Sequence, residues 1–341
     1  MSPAREYDET DVRIRPGRRG SRPRTKRRPD HADAEEAMVI AVDRGRWTCA
    51  PGGDAKAPPV TAMRARELGR TPIVVGDRVG LVGDLSGAPD TLARIVRVEE
   101  RRTVLRRTAD DTDPFERIVV ANAGQLVIVT SLADPVPRTG FVDRCLVAAF
   151  AGGLTPVLCL TKADLADPAP FAAHYAELEF PVVVTRRDEP PDRLAELLDG
   201  GVSALVGHSG VGKSTLVNAL LPEARRLTGV VSGVGKGRHT TVAAVALPLP
   251  DGGWVVDTPG VRSFGLAHVT PDDVIKAFDD LASAVEECPR GCGHLGPPAD
   301  PECALDALVA AGTLRPGRLD ALRRVLVALR PGHAGAPSPD R

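Results

Sequence analysis

Between Ala37 and about Leu105 the apolar residues come in short runs broken by Gly, Asp and Pro. The runs are Met38-Val39-Ile40-Ala41-Val42, Ile73-Val74-Val75, Arg78-Val79-Gly80-Leu81-Val82 and Ala93-Arg94-Ile95-Val96-Arg97-Val98. Runs of this length with turn residues between them predict β-strands, and several in one stretch predict a small barrel. Gly76-Asp77 reads as a turn entering the strand at Arg78. An OB-type barrel and an SH3-like barrel both fit the pattern, and OB-type barrels often bind RNA.

From Ile118 to about Leu266 the runs become continuously apolar: Gln125 to Val129, Pro156 to Leu160, Pro181 to Val184, Ala204 to Val206 and Trp254 to Val256. Such runs mark parallel strands buried on both faces. Helix-like stretches such as Arg193 to Leu198 and Thr215 to Leu221 lie between most of them, so a doubly wound α/β fold is expected. The last section is mainly helical. Thr270 reads as an N-cap, with Pro271 at the first helical position and Asp272 and Asp273 in the first turn. Val274, Ile275, Phe278, Leu281 and Val285 form one apolar stripe, and Leu319, Leu322, Val325, Leu326 and Leu329 form another. Ordinary core packing accounts for both.

Bulk properties narrow the classes. A chain of 341 residues suggests two or three domains. Aromatics make up 3% of it, so its core is mostly aliphatic. No apolar run approaches the roughly 20 residues of a bilayer span, and the charged N-terminus lacks an apolar signal segment. A cytoplasmic, monomeric protein is expected. The net charge of −1 conceals an Arg-rich stretch from Arg13 to Arg28. That stretch cannot pack a core and reads as a disordered arm that neutralises nucleic-acid phosphates.

The chemistry lies in three motifs and one cluster. Gly207-His208-Ser209-Gly210-Val211-Gly212-Lys213-Ser214-Thr215 follows a strand-like run and opens a helix-like one, the setting of a phosphate loop. Its N–H groups would wrap the phosphates, Lys213 would meet the β- and γ-phosphates, and Ser214 would ligate Mg²⁺. Asp257-Thr258-Pro259-Gly260 also follows a strand; Asp257 is placed to hold Mg²⁺ and Gly260 to meet the γ-phosphate. Thr161-Lys162-Ala163-Asp164 is a base box, whose carboxylate accepts two hydrogen bonds from guanine that adenine cannot supply. Thr161 stands where an Asn is usual, and Thr185 is a second candidate base contact. In Gly235 to Thr241, either Thr240 or Thr241 could complete the Mg²⁺ shell. The order is base box, phosphate loop, Asp-x-x-Gly, which is that of a circularly permuted GTPase. Cys49, Cys145 and Cys159 read as buried thiols. Cys288, Cys292, His294 and Cys303 form a Cys₃His set suited to one structural Zn²⁺.

With these pieces in place the chain resembles the RsgA (YjeQ) family of circularly permuted ribosome-assembly GTPases. The match rests on Val119 to Asn122, Asp143-Arg144, Thr161 to Leu165, Gly207 to Thr215, Gly235 to Thr241, Asp257 to Leu266 and Cys292-Gly293-His294. The resemblance implies an OB-like β-barrel, then an α/β P-loop GTPase domain, then a small mainly helical zinc domain. The divisions are a basic disordered arm (1–36), the barrel (37–115), the permuted GTPase domain (116–267), the zinc-binding section (268–331) and a loose tail (332–341). It implies GTP or GDP with Mg²⁺ as ligands. The implied partner is the small ribosomal subunit with its rRNA, whose late maturation would be coupled to GTP hydrolysis and release of the factor. Val261 follows Gly260 where many GTPases carry a water-orienting Gln. Turnover alone should therefore be slow, and by resemblance His239 orients the water. The rival reading is a nucleotide-regulated RNA-binding placeholder with negligible turnover. Two spacings depart from the resemblance: only Pro289-Arg290-Gly291 separates Cys288 from Cys292, and the gap from His294 to Cys303 is longer.

Overall fold

The computed structural model describes residues 31–108, 116–221, 244–258 and 265–330. The tail falls outside them, as does the arm apart from residues 31–36. Five strands build the barrel: β1 (Glu35–Asp43), β2 (Arg46–Pro51), β3 (Val60–Arg64), β4 (Arg78–Gly83) and β5 (Ala93–Val98). Their order is β1-β2-β3-β5-β4, and a β1–β4 pairing closes the ring. β3 and β5 run parallel while the other pairs are antiparallel. This closed Greek-key order is that of an OB-type barrel. Alternate residues point inward, so Val39, Cys49, Val60, Val79, Leu81 and Ile95 fill the interior.

Ile73-Val74-Val75 forms no strand, contrary to its pattern. The buried carboxylate of Asp77 accepts the Val74 N–H at 2.8 Å and two donors of Arg101 at 2.6 and 2.8 Å. The run is thereby folded into a turn that still buries Ile73 and Val75. β2 and β3, by contrast, are strands that no apolar run announces.

A hairpin of β6 (Val104–Arg107) and β7 (Arg117–Ala121) leads out of the barrel. The α/β sheet follows, with β8 (Gln125–Ser131), β9 (Thr155–Thr161), β10 (Val182–Val184), β11 (Val202–Val206), β12 (Val245–Pro248) and β13 (Trp254–Asp257). The order is β10-β9-β8-β11-β13-β12, parallel except for β12. One face packs on the helices Asp192–Leu198 and Lys213–Leu220 through Val127, Val157, Leu194, Leu205 and Leu216. The other packs on the helix Thr139–Ala151 and on the C-terminal section through Ile128, Leu146, Leu158, Val274 and Leu322. The barrel joins this sheet where Ala41 of β1 pairs with Val245 of β12.

In the C-terminal section Thr270 caps the helix Pro271–Ile275 in a reciprocal box with Asp273. The first apolar stripe is not one helix. It breaks before a second helix, Asp279–Val285, because Phe278 takes an extended conformation (φ −112°, ψ 94°). Val274, Ile275, Phe278 and Leu281 are buried all the same. The helices Ala304–Ala310 and Pro316–Val327 complete the section. It is fastened to the sheet domain by hydrogen bonds from Arg144 to the Ala328 carbonyl (2.9 Å) and from Arg324 to the His174 carbonyl (2.8 Å). No helix among the described residues is long and apolar enough to cross a membrane.

Candidate nucleotide crevice and Cys/His cluster

Four parallel strands end side by side: β8 at Ser131, β9 at Thr161, β11 at Val206 and β13 at Asp257. β8 lies between β9 and β11, so the chain leaves it in opposite directions on its two sides. In open α/β sheets such a reversal leaves a crevice at the carboxyl ends of the strands, where ligands bind.

On one side of the crevice, β11 runs through Gly207–Gly212 into the helix Lys213–Leu220. Gly210 and Gly212 have φ of 85° and 89°, a region that favours glycine. At Gly207 a Cβ would lie 2.6 Å from the Val129 carbonyl oxygen, so a side chain is excluded there too. The Lys213 ammonium pairs with the Asp257 carboxylate and lies 3.4 Å from the Thr258 carbonyl. Thr258 is anchored in turn by its hydroxyl, which donates to the Leu205 carbonyl at 2.6 Å. Ser209, Ser214 and Thr215 are exposed. The His208 ring packs against Phe141 with centroids 4.1 Å apart. A carboxylate at a strand tip and a hydroxyl at the start of a helix are hard oxygen donors of the kind Mg²⁺ takes.

The base box closes the other side. Thr161 is buried, and its hydroxyl donates to the carbonyl of Val211 in the phosphate loop at 2.6 Å. Two motifs fifty residues apart in sequence are thus bonded directly. Through this bond Thr161 braces the phosphate loop. Lys162 adopts φ 58° and its ammonium meets the Asp134 carbonyl. Asp164 stands exposed in a turn closed by the Leu165 N–H on the Lys162 carbonyl at 2.9 Å. Thr185 turns its hydroxyl to the Leu160 carbonyl at 3.4 Å, and its backbone carbonyl accepts the Ala163 N–H at 3.3 Å. Its backbone therefore holds the turn of the base box.

The segment after β8 forms a wall that sequence reasoning missed. Ser131 donates to the Pro135 carbonyl at 2.7 Å, and Pro135 sits 3.6 Å from where a Cβ on Gly210 would be. The Asp134-Pro135 dipeptide at a strand end was the available signal. His239, Thr240, Thr241 and Gly260 lie outside the described residues, as does Val261.

The second cluster is closed. The ligand atoms of Cys288, Cys292, His294 and Cys303 all lie within 4.8 Å of one another. His294 Nδ1 is 3.5 Å from Cys288 Sγ and 3.9 Å from Cys303 Sγ. Tetrahedral zinc with bonds of about 2.3 Å to sulfur and 2.0–2.1 Å to nitrogen requires S···N separations near 3.6 Å, so the donor set fits that ion. Backbone turns make the short spacing work, with φ of 79° at Gly291 and 57° at His294. Asp272, which the sequence reading treats only as a helix-start residue, lies 2.8 Å from His294 Nε2. A carboxylate there fixes the ring so that Nδ1 faces the thiols. Burial pushes the Cys292 thiol up to about 12, and the neighbouring Cys303 and Cys288 add to the shift. Cys49, Cys145 and Cys159, away from this cluster, are buried free thiols.

Comparison with known proteins agrees with this geometry. The RsgA GTPase family model matches residues 98–267. The RsgA of Gemmatimonas aurantiaca, named a small ribosomal subunit biogenesis GTPase, is 39% identical over 259 residues, covering 74% of this chain and 83% of that protein. This chain belongs to the RsgA GTPase family. The identically named RsgA of Chlorobaculum parvum is 34% identical, covering 82% of this chain and 92% of that protein. Among solved structures, YjeQ from Thermotoga maritima is similar with a TM-score of 0.61 at 26% identity, over 86% of this chain and 98% of that one. YloQ, described as a circularly permuted GTPase, matches in fold with a TM-score of 0.62 at 23% identity, over 88% of this chain and 96% of that one. As an RsgA GTPase the chain is a GTP-hydrolysing enzyme, with the permuted motif order read from its sequence.

Proposed function

We propose that this RsgA GTPase binds the small ribosomal subunit late in its assembly and couples GTP hydrolysis to subunit maturation and to its own release. The observation that carries the reading is the Thr161–Val211 bond, which joins the base box to the phosphate loop in one crevice. The partner is inferred from the names of the relatives, from the OB-type barrel and from the Arg-rich stretch at Arg13 to Arg28.

In this reading the loop from Gly207 to Thr215 and Lys213 hold the triphosphate, and Asp164 reads guanine. Ser214 and Asp257 hold Mg²⁺, joined by Thr240 or Thr241, and Gly260 meets the γ-phosphate. Mg²⁺ supplies neutralisation of the charge that builds on the transferred phosphoryl group. Lys213 and Asp257 neutralise each other until nucleotide arrives; the phosphates then take the ammonium and the carboxylate turns to the cation. Val261 cannot align water, so His239 does so once the subunit orders its segment. Cys288, Cys292, His294 and Cys303 hold a structural zinc, leaving no open position for catalysis. The arm, barrel, GTPase domain, zinc section and tail are assigned to 1–36, 37–115, 116–267, 268–331 and 332–341.

Sedimentation with purified small subunits in GTP-analogue and GDP conditions, with turnover measured on the same samples, tests the reading. Co-sedimentation with the analogue, release with GDP and turnover stimulated by subunits are expected. Binding without stimulation would leave a nucleotide-regulated placeholder, the reading that Val261 favours. No co-sedimentation would overturn the assembly role.

A further inference from the structure

A cleft of about 300 Å³ lies away from both sites, between the β6–β7 hairpin, the C-terminal end of the helix Thr139–Ala151 and the segment entering the C-terminal section. Arg102, Val104 and Arg106 line one wall. They line the same wall across a bulge between Leu105 and Arg106. His268 and Asp273 stand on the opposite segment.

The charge in this cleft is unbalanced. Among the described residues no carboxylate pairs with the Arg102 guanidinium. Among the same residues Arg106 pairs only with Glu116, at 3.7 Å, with both side chains more than 40% exposed (46% and 43%). Such a pair holds loosely. Asp273 also lines the cleft, but its carboxylate lies 3.5 Å from the Lys276 ammonium and is held by the Thr270 N–H at 3.1 Å and the Thr270 hydroxyl at 2.6 Å, so it does not balance two arginines. The last carbonyls of the helix are also used, accepting from Gly152, Gly153 and Leu154 at 2.9–3.1 Å. The Nδ1 of His268 is buried with no hydrogen-bond partner, an arrangement that costs free energy unless something nearby compensates.

We propose that this cleft is a phosphate-binding site and that its occupant is a backbone phosphate of RNA. Two forked guanidinium groups suit phosphate oxygens. The apolar walls are small (Val104, Ala148, Ala151 and Val269), and among the described lining residues there is no Phe, Tyr or Trp on which a base could stack. Recognition therefore stops at the phosphate, as in contacts that position a protein on RNA without reading its sequence. The Thr108 N–H donates to the Gly265 carbonyl at 3.1 Å and ties the hairpin to the chain entering this wall, so the cleft has a fixed frame. The inference rests on the RNA partner proposed above and deepens it by naming where the backbone is held.

The test uses the full-length chain saturated with GDP, so that the crevice is filled. A fluorescent uridine oligonucleotide is titrated over a range of salt against the parent, Arg102→Gln/Arg106→Gln and Arg102→Lys/Arg106→Lys. The glutamine pair is expected to weaken binding about tenfold and to flatten the salt slope by about one for each arginine removed. The lysine pair should keep most of the affinity, since it keeps the charge. Subunit-free GTP turnover should not change. The imidazole ¹⁵N signals of His268 should move with the oligonucleotide. A signal that moves with inorganic phosphate but not with the oligonucleotide would overturn the assignment to RNA. Equal affinity and slope in the parent and the glutamine pair would overturn the site itself. If the parent binds neither the oligonucleotide nor small subunits, the RNA-partner reading has failed instead.

Discussion

The nucleotide crevice and the Cys₃His cluster assemble their residues in opposite ways. The crevice draws Thr161, Val211, Lys213 and Asp257 from strands and loops spread over nearly a hundred residues, and the sheet is what brings them together. Its reactive groups stay exposed: Ser209, Ser214, Thr215 and Asp164 face solvent. The cluster takes all four ligands from Cys288 to Cys303 and turns them inward on one point. Fold therefore precedes function in the crevice, whereas at the cluster the zinc proposed above would itself hold a short Gly- and Pro-rich stretch in shape. Damage should follow the same division, reaching the fold at the cluster and only the chemistry at the crevice.

The largest effect is expected at the cluster. Cys303→Ser, or removal of metal by a chelator, should forfeit much of a metal contribution on the order of 10 kcal/mol. Thermal unfolding and limited proteolysis should both show the C-terminal section opening. An unchanged melting curve would erase the contrast. Next comes Asp164→Asn, which should cost about a hundredfold in preference for guanosine over adenosine nucleotides, as when a buried polar match is lost. Its melting temperature should stay with the parent because the side chain is exposed. Competitive nucleotide binding checks the first point, and a joint loss of stability would break the comparison from the other side.

The smallest effect lies on the element both regions share, the helix Thr139–Ala151. Its Phe141 meets the phosphate loop and its Arg144 holds the C-terminal helix. Between them, burial raises the Asp143 carboxyl to about 7, although the Tyr175 hydroxyl 3.0 Å away and Arg324 pull it down. The folded chain thus holds this proton more tightly than the unfolded chain, where Asp titrates near about 4. The folded state binds more protons across that window, so stability falls as pH rises from about 4 to about 7. Asp143→Asn, neutral throughout, should melt about 3 °C above the parent at about pH 8 and match it at about pH 4. An equal difference at both values would show that Asp143 is not held protonated.

Much of this was legible in the sequence where the chemistry is local. The phosphate loop declares itself through Gly207, Gly210, Gly212, Lys213 and Ser214 because backbone wrapping demands those residues in one short stretch. The capping box at Thr270 is equally local. What could not be read depends on distance or on competition between local signals. Ile73 to Val75 carried a strand pattern, but the buried carboxylate of Asp77 diverted the backbone into a turn. Strands β2 and β3 are short and interrupted, with no apolar run to mark them. The stripe from Val274 to Val285 keeps its burial across a break because two short helices can share one core face. Asp272 behind His294 is separated from it by twenty-two residues, so spacing gave no hint. Thr161 looked like a lost base contact, and only the 2.6 Å bond to Val211 shows the brace it supplies.

One backbone rung, Ala41 to Val245, joins the barrel to the edge of the α/β sheet. Val245 comes shortly after Thr241 in the chain. Force that tilts the barrel is delivered through this rung, and through the Trp254 indole N–H on the Gly53 carbonyl at 3.1 Å, to the strands that follow the stretch holding His239. Grip at one end of the molecule and timing at the other would thus meet along the β12 edge of the sheet.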